Sequence, residues 1–232
     1  MFYLIGLGLE LESISKEAFE ICKKARKIYL ENYTIKFPYD LKELGKFLGK
    51  EIIELKRGEV EKEEFLGEAK EKDIVLLVYG SPLMATTHIS LILKCKEEKI
   101  DFRIIHNASV FDAIAETGLQ IYKFGKTASM PAWTENYKPS SFAEIIKENE
   151  KIKSHSLILV DIGLKSKDAL NQLEEACKIK KKIAIGSNLG TKQQKIYYSE
   201  IKDLKQKSIK EPFCIIIPSD LHFLEKEFLE KV

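Results

Sequence analysis

The chain has few of the residues that build metal centres or disulfide frameworks. Its 232 residues include only four cysteines, Cys22, Cys95, Cys177 and Cys214, and four histidines. None of the cysteines stands in a C-x-x-C pair, which argues against a zinc ribbon or a redox motif. The histidines show no ligand spacing with cysteines or carboxylates, so we expect no metal site. Buried, reduced thiols are the expectation, and these suit a cytoplasmic protein.

Long apolar runs and an excess of one charge are also missing. No apolar run approaches the roughly 20 residues that span a bilayer, and the first residues lack the basic segment of a signal peptide. The chain carries 38 basic and 36 acidic residues, a net charge of +2, which gives no global footprint for nucleic acid. We therefore expect no membrane span and a protein or small-molecule partner, with a local basic patch still open.

Apolar strands alternate with amphipathic helices along the chain, a pattern that predicts an α/β protein with a largely parallel sheet. Residues 2–7 are nearly all apolar, as expected for a strand buried on both faces. Residues 73–79 give the strongest strand pattern, and the second half of the chain follows a different spacing. We predict two α/β domains, 1–125 and 126–232, with a ligand cleft between them.

Three predicted strands end in loops that could carry chemistry. Residues 6–9 read Gly-Leu-Gly-Leu, but position 11 is Leu, so the G-x-G-x-x-G fingerprint of a dinucleotide-binding oxidoreductase is incomplete. Residues 80–88 follow the strongest strand, at the end where ligands bind in open α/β sheets. Residues 105–110 include Asn107 and Ser109, which can bond backbone or ligand groups. Structural turns remain the alternative, with Thr86 or Thr87 capping the next helix.

A fourth polar segment, 134–141, follows the only tryptophan, Trp133. Loops near a domain junction often bind substrate, but an ordinary surface loop would read the same way. His88 and His106 are the candidates for a proton acceptor, although both are also explained by turns that they could stabilise. The nucleophile motif G-x-S-x-G and the phosphate-binding motif G-x-x-x-x-G-K-[ST] are both absent from the chain.

Seven stretches together resemble diphthine synthase of the archaeal type, a tetrapyrrole-methylase-like family of S-adenosylmethionine methyltransferases. They are Tyr-Leu-Ile-Gly-Leu-Gly-Leu (3–9), Gly-Ser-Pro-Leu-Met-Ala-Thr-Thr-His (80–88), Ile-His-Asn-Ala-Ser-Val (105–110), Gly-Leu-Gln-Ile-Tyr-Lys-Phe-Gly-Lys-Thr (118–127), Thr-Glu-Asn-Tyr-Lys-Pro (134–139), Leu-Val-Asp-Ile (159–162) and Leu-His-Phe-Leu-Glu (221–225). The first is shared by the wider class. The segments 83–88, 105–109 and 118–125 are the specific ones.

The resemblance implies two α/β domains with S-adenosylmethionine bound between them, S-adenosylhomocysteine as product, and a homodimer. It implies methylation of the amino group on a modified histidine of translation elongation factor 2, a step of diphthamide synthesis in the cytoplasm. Archaeal members leave a trimethylammonio product, and eukaryotic members add a further methyl as an ester. No dedicated catalytic residue is implied.

Family positions that contact the cofactor match eight residues of this chain. They are Leu9, Ser81, Met84, Ser109, Val110, Val160, Tyr198 and His222, of which Tyr198 aligns least securely. The sequence departs from the family pattern in three places: Ser81 replaces an aspartate, Glu10 replaces a glycine, and the segment 163–180 is shortened. The replacement at position 81 removes a carboxylate that would face the cationic cofactor.

Two other functions remain to be weighed. The first is a methyltransferase of the same fold that acts on a tetrapyrrole precursor or on ribosomal RNA, which the segments at 105–127 argue against. The second is a non-enzymatic interaction module that has lost its cofactor, which Ser81 would favour.

Overall fold

The computed structural model describes residues Met1–Val232 and divides into two compact units, Met1–Val110 and Phe111–Val232. The division falls earlier than the predicted boundary at residue 125. Residues 111–125 belong to the second unit because they pack within it. The backbone N–H of Gln120 donates to the Glu225 carboxylate at 2.9 Å, and Gly118 lies directly against the ring of Phe228.

The first unit is built on a five-stranded sheet with the order β3-β2-β4-β1-β5, in which every neighbouring pair is parallel. Its strands are β1 (Phe2–Gly6), β2 (Lys27–Glu31), β3 (Ile53–Leu55), β4 (Ile74–Val78) and β5 (Phe102–Ile105). Its helices are α1 (Lys16–Lys24), α2 (Leu41–Leu48), α3 (Arg57–Lys62) and α4 (Ile89–Glu97), with a 3₁₀ segment at Glu64–Lys70.

Two apolar cores cover the two faces of this sheet. Along β4, Leu76 and Val78 belong to one core and Val75 and Leu77 to the other, as the alternation of side chains in a strand requires. All five residues of β4 are buried. A central strand buried on both faces is therefore correctly read from the continuous apolar run.

Helix ends follow the sequence in some places and not in others. Ser15 is the N-cap of α1 and accepts from Ala18 N at 3.1 Å, the role that serine commonly takes at the start of a helix. Neither Thr86 nor Thr87 caps α4, because His88 occupies the N-cap position. The Thr86 hydroxyl instead donates back to the Pro82 carbonyl at 3.0 Å.

The second unit contains a mixed sheet with the order β6-β7-β10-β8-β9. Its strands are β6 (Ala128–Met130), β7 (Ser156–Val160), β8 (Ile183–Ser187), β9 (Lys195–Ser199) and β10 (Phe213–Ile217). Its helices are α5 (Val110–Ala113, which begins on the last residue of the first unit), α6 (Ser141–Lys151), α7 (Ser166–Ala176), α8 (Ile201–Leu204) and α9 (Phe223–Leu229), with 3₁₀ turns at Ile114–Thr117 and Ile121–Lys123.

The expectation of a largely parallel sheet is wrong for this second unit. Only β6 and β7 pair in parallel, whereas β10 pairs antiparallel with both β7 and β8, and β8 with β9. The segment between β8 and β9 is too short for the crossover that a parallel pair needs, so those strands form a hairpin. Alternation of strands and helices in the sequence does not reveal this.

The four cysteines are buried and free, as expected. Burial raises the pKa of Cys22 to about 12 and that of Cys95 to about 11. These thiols therefore act as small apolar side chains in the two units. None of the helices has both the length and the apolar character to cross a membrane.

Candidate cofactor site

The first two strand-end loops are joined by a two-residue backbone bridge in the first unit. Gly8 N donates to Gly80 O at 3.1 Å and Gly80 N donates to Gly8 O at 2.9 Å. Both glycines have positive φ, +75° and +72°, a region that other residues rarely adopt. A side chain at Gly6 would also meet Gly80 O at 2.5 Å. Glycine at these positions is needed for the two loops to approach each other.

Asn107 fastens the third loop to the first. Its side-chain amide donates to Gly6 O at 3.2 Å and to Ser13 O at 3.0 Å, and its amide oxygen accepts from Ala108 N at 2.8 Å. Asn107 is therefore occupied with backbone groups, one of the two roles that the sequence left open. The segments 6–9, 80–88 and 105–110 consequently meet at the carboxyl edge of the parallel sheet.

This edge brings together the five predicted cofactor positions of the first unit. Leu9 adjoins the glycine bridge and is 6% exposed, and Tyr79 donates its hydroxyl to Leu9 O at 3.0 Å. Met84 N donates to Ser81 O at 3.2 Å, and the Met84 side chain is exposed. Ser109 is buried and lies beside Gly80, and Val110 follows it directly.

Ser81 is buried and faces an exposed histidine. Its hydroxyl lies 3.5 Å from Nδ1 of His106, at the outer limit of a hydrogen bond. His88, by contrast, is buried with Nδ1 3.2 Å from Pro82 O. Burial lowers the pKa of His88, so this ring stays neutral and holds the loop, while His106 is the imidazole open to solvent.

Three predicted positions lie in the second unit, and the structure does not gather them. Val160 ends β7, beside Met130 of β6. His222 begins α9 as its N-cap, and the chain reaches it from Ile217, which pairs with Ser156 at the opposite end of β7. The two ends of β7, Ser156 and Val160, are four residues of strand apart, which corresponds to about 13 Å. Tyr198 lies on the edge strand β9, under the ammonium of Lys182.

Sequence reasoning missed one polar residue of the first unit. Glu31 ends β2 and is completely buried. The sequence feature that could have revealed it is a glutamate at the end of the strand pattern Lys-Ile-Tyr-Leu-Glu. When such a strand is buried on both faces, its last side chain is shielded from water as well. No group of three or more His, Cys, Asp or Glu residues could hold a metal ion.

The geometry of this edge fits a small ligand with apolar and polar parts. Because the bridge residues are glycines, no side chain covers their backbone. Leu9 and Met84 supply apolar side chains, and the buried residues Ser81 and Ser109 supply hydroxyl groups. Ligands of open α/β sheets bind at this edge.

Comparison with known proteins identifies the family of the chain. The family model of the Tetrapyrrole (Corrin/Porphyrin) Methylases matches residues 1–205. Diphthine synthase of Methanocaldococcus jannaschii is 38% identical over 99% of this chain and 98% of its own. Diphthine methyl ester synthase of Schizosaccharomyces pombe is 35% identical over 99% of this chain and 93% of its own. A crystal structure from Entamoeba histolytica, assigned as a diphthine synthase, superposes with a TM-score of 0.89 at 32% identity, over 100% of this chain and 97% of that one.

The fold and the matched model define a methyltransferase of the tetrapyrrole methylase class. Within that class the chain belongs to the diphthine synthase family, the S-adenosylmethionine-dependent methyltransferases of diphthamide biosynthesis.

Proposed function

We propose that this chain methylates the amino group of the modified histidine on translation elongation factor 2, and that it binds S-adenosylmethionine at the edge formed by Leu9, Ser81, Met84, Ser109 and Val110. The observation that carries the proposal is the meeting of three strand-end loops at one edge of the parallel sheet, held by the Gly8–Gly80 bridge and by Asn107. The segments that meet there are also those that carry the resemblance to the family.

The chemistry asks the protein mainly for positioning. When it is bound, the cofactor supplies an electrophilic methyl group on a positively charged sulfur, whose departure needs no acid. The glycine bridge and the Ser81 and Ser109 hydroxyls would orient the ligand, and Leu9 would exclude water from one side of it. Holding two reactants in line can lower a barrier by several kcal/mol, about 7 or more in favourable cases.

The direct test is methylation of elongation factor 2 that carries the aminocarboxypropyl group on its histidine. We expect the purified chain to transfer methyl groups from labelled S-adenosylmethionine to this protein and not to unmodified elongation factor. Transfer to ribosomal RNA or to a tetrapyrrole precursor under the same conditions would favour the alternative methyltransferases. Cofactor titration that detects no binding at millimolar concentration would favour the non-enzymatic module.

The archaeal type of product is the finer part of the proposal. The chain covers 98% of the Methanocaldococcus relative and 93% of the Schizosaccharomyces one, so it is closer in length to the archaeal protein. Mass spectrometry of the modified peptide, before and after treatment with mild base, distinguishes the two products. Base removes a methyl ester and lowers the mass by one methylene unit, whereas three N-methyl groups are unaffected.

Val160, Tyr198 and His222 remain proposed cofactor contacts on the strength of the resemblance. Each can be tested by replacement with alanine and titration with S-adenosylhomocysteine, with the exposed Lys167 replaced as a control. We also propose a homodimer that works in the cytoplasm, for which light scattering should give twice the monomer mass of 26.6 kDa.

A further inference from the structure

Glu31 is the most unusual polar residue of the first unit. It is the last residue of β2, is 0% exposed, and has a carboxyl group that only one neighbour's side chain meets at close range. The Thr34 hydroxyl donates to Oε1 at 2.5 Å, and the backbone N–H groups of Tyr33 and Thr34 also favour the charged form. The second oxygen, Oε2, is buried and has no hydrogen-bond partner.

A buried carboxylate oxygen without a partner is costly, because it has lost water and gained nothing in exchange. Burial accordingly raises the pKa of Glu31, against the hydrogen bonds from Thr34 and Tyr33 and the charge of Arg57, which lower it. Such a group is relieved either by a proton or by a donor that arrives with a ligand. Thr34 and Tyr33, in the loop that follows β2, supply the hydrogen bonds to the carboxylate, and Oε2 is left for a donor from outside this loop.

The strand register places Glu31 beside the candidate cofactor site. Leu30 is level with Leu77 of β4, so Glu31 stands one residue further on, next to Val78 and just before the loop 80–88. Side chains alternate along a strand, so Glu31 faces the same side of the sheet as Tyr29. Tyr29 and Val78 belong to the core against which Leu83 of that loop packs.

We propose that Glu31 binds the ammonium group of the methyl acceptor through Oε2 and receives its proton before methyl transfer. The inference rests on the function proposed above, whose acceptor is an amine. An ammonium group offers the donors and the positive charge that a buried, unpartnered carboxylate oxygen lacks. The sequence offers no comparable carboxylate on the loops 6–9, 80–88 and 105–110, where Ser81 stands in place of the family's aspartate.

The step balances in two stages. An N–H bond of the substrate ammonium breaks and its proton passes to Oε2, which leaves a neutral amine and a protonated Glu31. The nitrogen lone pair then forms a bond to the methyl carbon, the carbon–sulfur bond breaks, and its electron pair remains on sulfur. The methylated nitrogen carries the positive charge again, and the sequence repeats once the proton on Glu31 has passed to a water molecule that enters between two transfers.

The test compares Glu31→Gln with wild type and with Glu54→Gln, a matched change on the neighbouring strand β3. Glu54 is exposed and bonds Asn32 at the surface, so its replacement should leave every readout unchanged. Glutamine fills the same space at position 31 and can still accept from Thr34, but it cannot take a proton. We expect Glu31→Gln to lower single-turnover methylation of aminocarboxypropyl-modified elongation factor 2 by at least thirtyfold at saturating cofactor.

Two further measurements separate this role from folding and from cofactor binding. The thermal unfolding midpoint and the affinity for S-adenosylhomocysteine of Glu31→Gln should stay close to wild type, with the affinity within threefold. Wild-type methylation rates in the folded variant would overturn the proposal and would leave Oε2 to a buried water. A parallel loss of S-adenosylhomocysteine binding would also overturn it, because Glu31 would then face the cofactor. If wild type itself fails to methylate elongation factor 2, the proposed function fails instead; S-adenosylhomocysteine binding is still measured independently.

Discussion

At the scale of single residues, Ser81 stands where the resemblance implies an aspartate, and its surroundings indicate what a carboxylate there would do. The side chain is 7% exposed and its hydroxyl faces His106 Nδ1 at 3.5 Å. A carboxylate in the same place would lose most of its hydration. It would therefore depend on a positive partner such as a cationic ligand.

We predict that Ser81→Asp tightens binding of S-adenosylmethionine by about 1 kcal/mol, roughly fivefold, as for a modest ion pair. The gain should be smaller for S-adenosylhomocysteine, because its sulfur is uncharged. The thermal midpoint of the ligand-free variant should fall, since the new charge is buried without a full partner. Isothermal titration with both compounds gives the comparison.

Ser81→Asn is the matched control, because it has the shape of aspartate without the charge. It should bind the two compounds with the same ratio as wild type. An equal change in affinity for both compounds in the Asp variant would mean that position 81 does not sense the sulfonium. Weaker binding in both variants would mean that the serine hydroxyl itself makes the contact.

At the scale of elements, helix α9 is held by a buried polar cluster, which we define as Lys123, His155 and Glu225. Glu225 accepts from Lys123 Nζ and from the backbone N–H groups of Gln120 and His222 at 2.9 and 2.7 Å. His155 Nε2 lies 3.2 Å from Oε1 of Glu225, while its Nδ1 accepts from Ser219 N at 2.9 Å. This cluster joins the segment 118–125 to the Leu-His-Phe-Leu-Glu segment, two of the stretches that carry the family resemblance.

We predict that Glu225→Ala destabilises the second unit by about 3 kcal/mol, because it leaves Lys123 and two backbone donors without their acceptor. The shift in urea midpoint, followed by circular dichroism, measures the change. Glu227→Ala on the same helix is the control, since Glu227 bonds Lys231 at the surface and exposed pairs contribute under about 1 kcal/mol. Equal effects of the two changes would contradict a structural role for the cluster.

The same cluster predicts how stability depends on pH. Burial lowers the pKa of His155 despite its contact with Glu225, so the unfolded chain binds a proton that the folded one excludes. The contribution of His155 to the free energy of unfolding should be fully present above pH 6.5. It should fall on acidification, by up to about 1.4 kcal/mol per pH unit for one proton. Urea midpoints between pH 5 and 8 test this, and His155→Gln should make the curve shallower in that range; a slope remains because burial also lowers the pKa of His88.

Glu225 extends the loss to lower pH. Burial raises its pKa, but the hydrogen bonds from Lys123, Gln120, His222 and His155 outweigh burial and hold it at about 2. Its contribution to stability is therefore present above pH 4.5 and is lost as the pH falls toward 2.

The His155 prediction has its own contradicting outcome. A urea midpoint of the wild type that stayed constant from pH 7 to pH 5 would contradict the assignment of a neutral, buried His155.

The sequence predicted the elements of the first unit better than their assembly in the second. The apolar run of β4 and the Ser15 cap depend on local patterns, which the sequence displays. The antiparallel course of β10, the position of Val160 at the end of β7 that lies away from Ile217, and the unpartnered oxygen of Glu31 depend on contacts between distant segments. Helix α3 ends before Glu63, which has φ of +60°, a conformation that the charged pattern of the sequence does not signal.

At the scale of the whole molecule, recognition of a protein substrate needs an exposed rim, for which the loop 134–139 is the candidate. Trp133 anchors the loop, because its indole N–H donates to Pro139 O at 2.9 Å and its backbone N–H to Gln172 at 3.0 Å. Lys138 lies over the same ring and bonds Glu175 at 2.9 Å. An anchored loop can contact a partner with little ordering cost.

We predict that Asn136→Ala together with Lys138→Ala weakens methylation at limiting elongation factor 2, while cofactor affinity stays within threefold, under about 0.7 kcal/mol. Glu175→Ala is the matched control, because it removes the ion pair of Lys138 but keeps the lysine. If the control weakens methylation as much as the double variant, the ion pair and not a contact with the elongation factor is responsible. Unchanged rates in the double variant would exclude this loop from the rim.

The strand order of the first unit also determines when its strands can pair during synthesis on the ribosome. Among the five strands of this unit β1 stands first in the chain, yet both of its edges are filled by later strands, β4 and β5. During synthesis this apolar strand therefore has no neighbour until β4 has left the exit tunnel, and it keeps one open edge until Ile105 has followed, several seconds or more after β1 at about 5–20 residues per second. Asn107 and Ser109 follow immediately, so the last strand that closes the sheet also delivers the last loop of the cofactor edge.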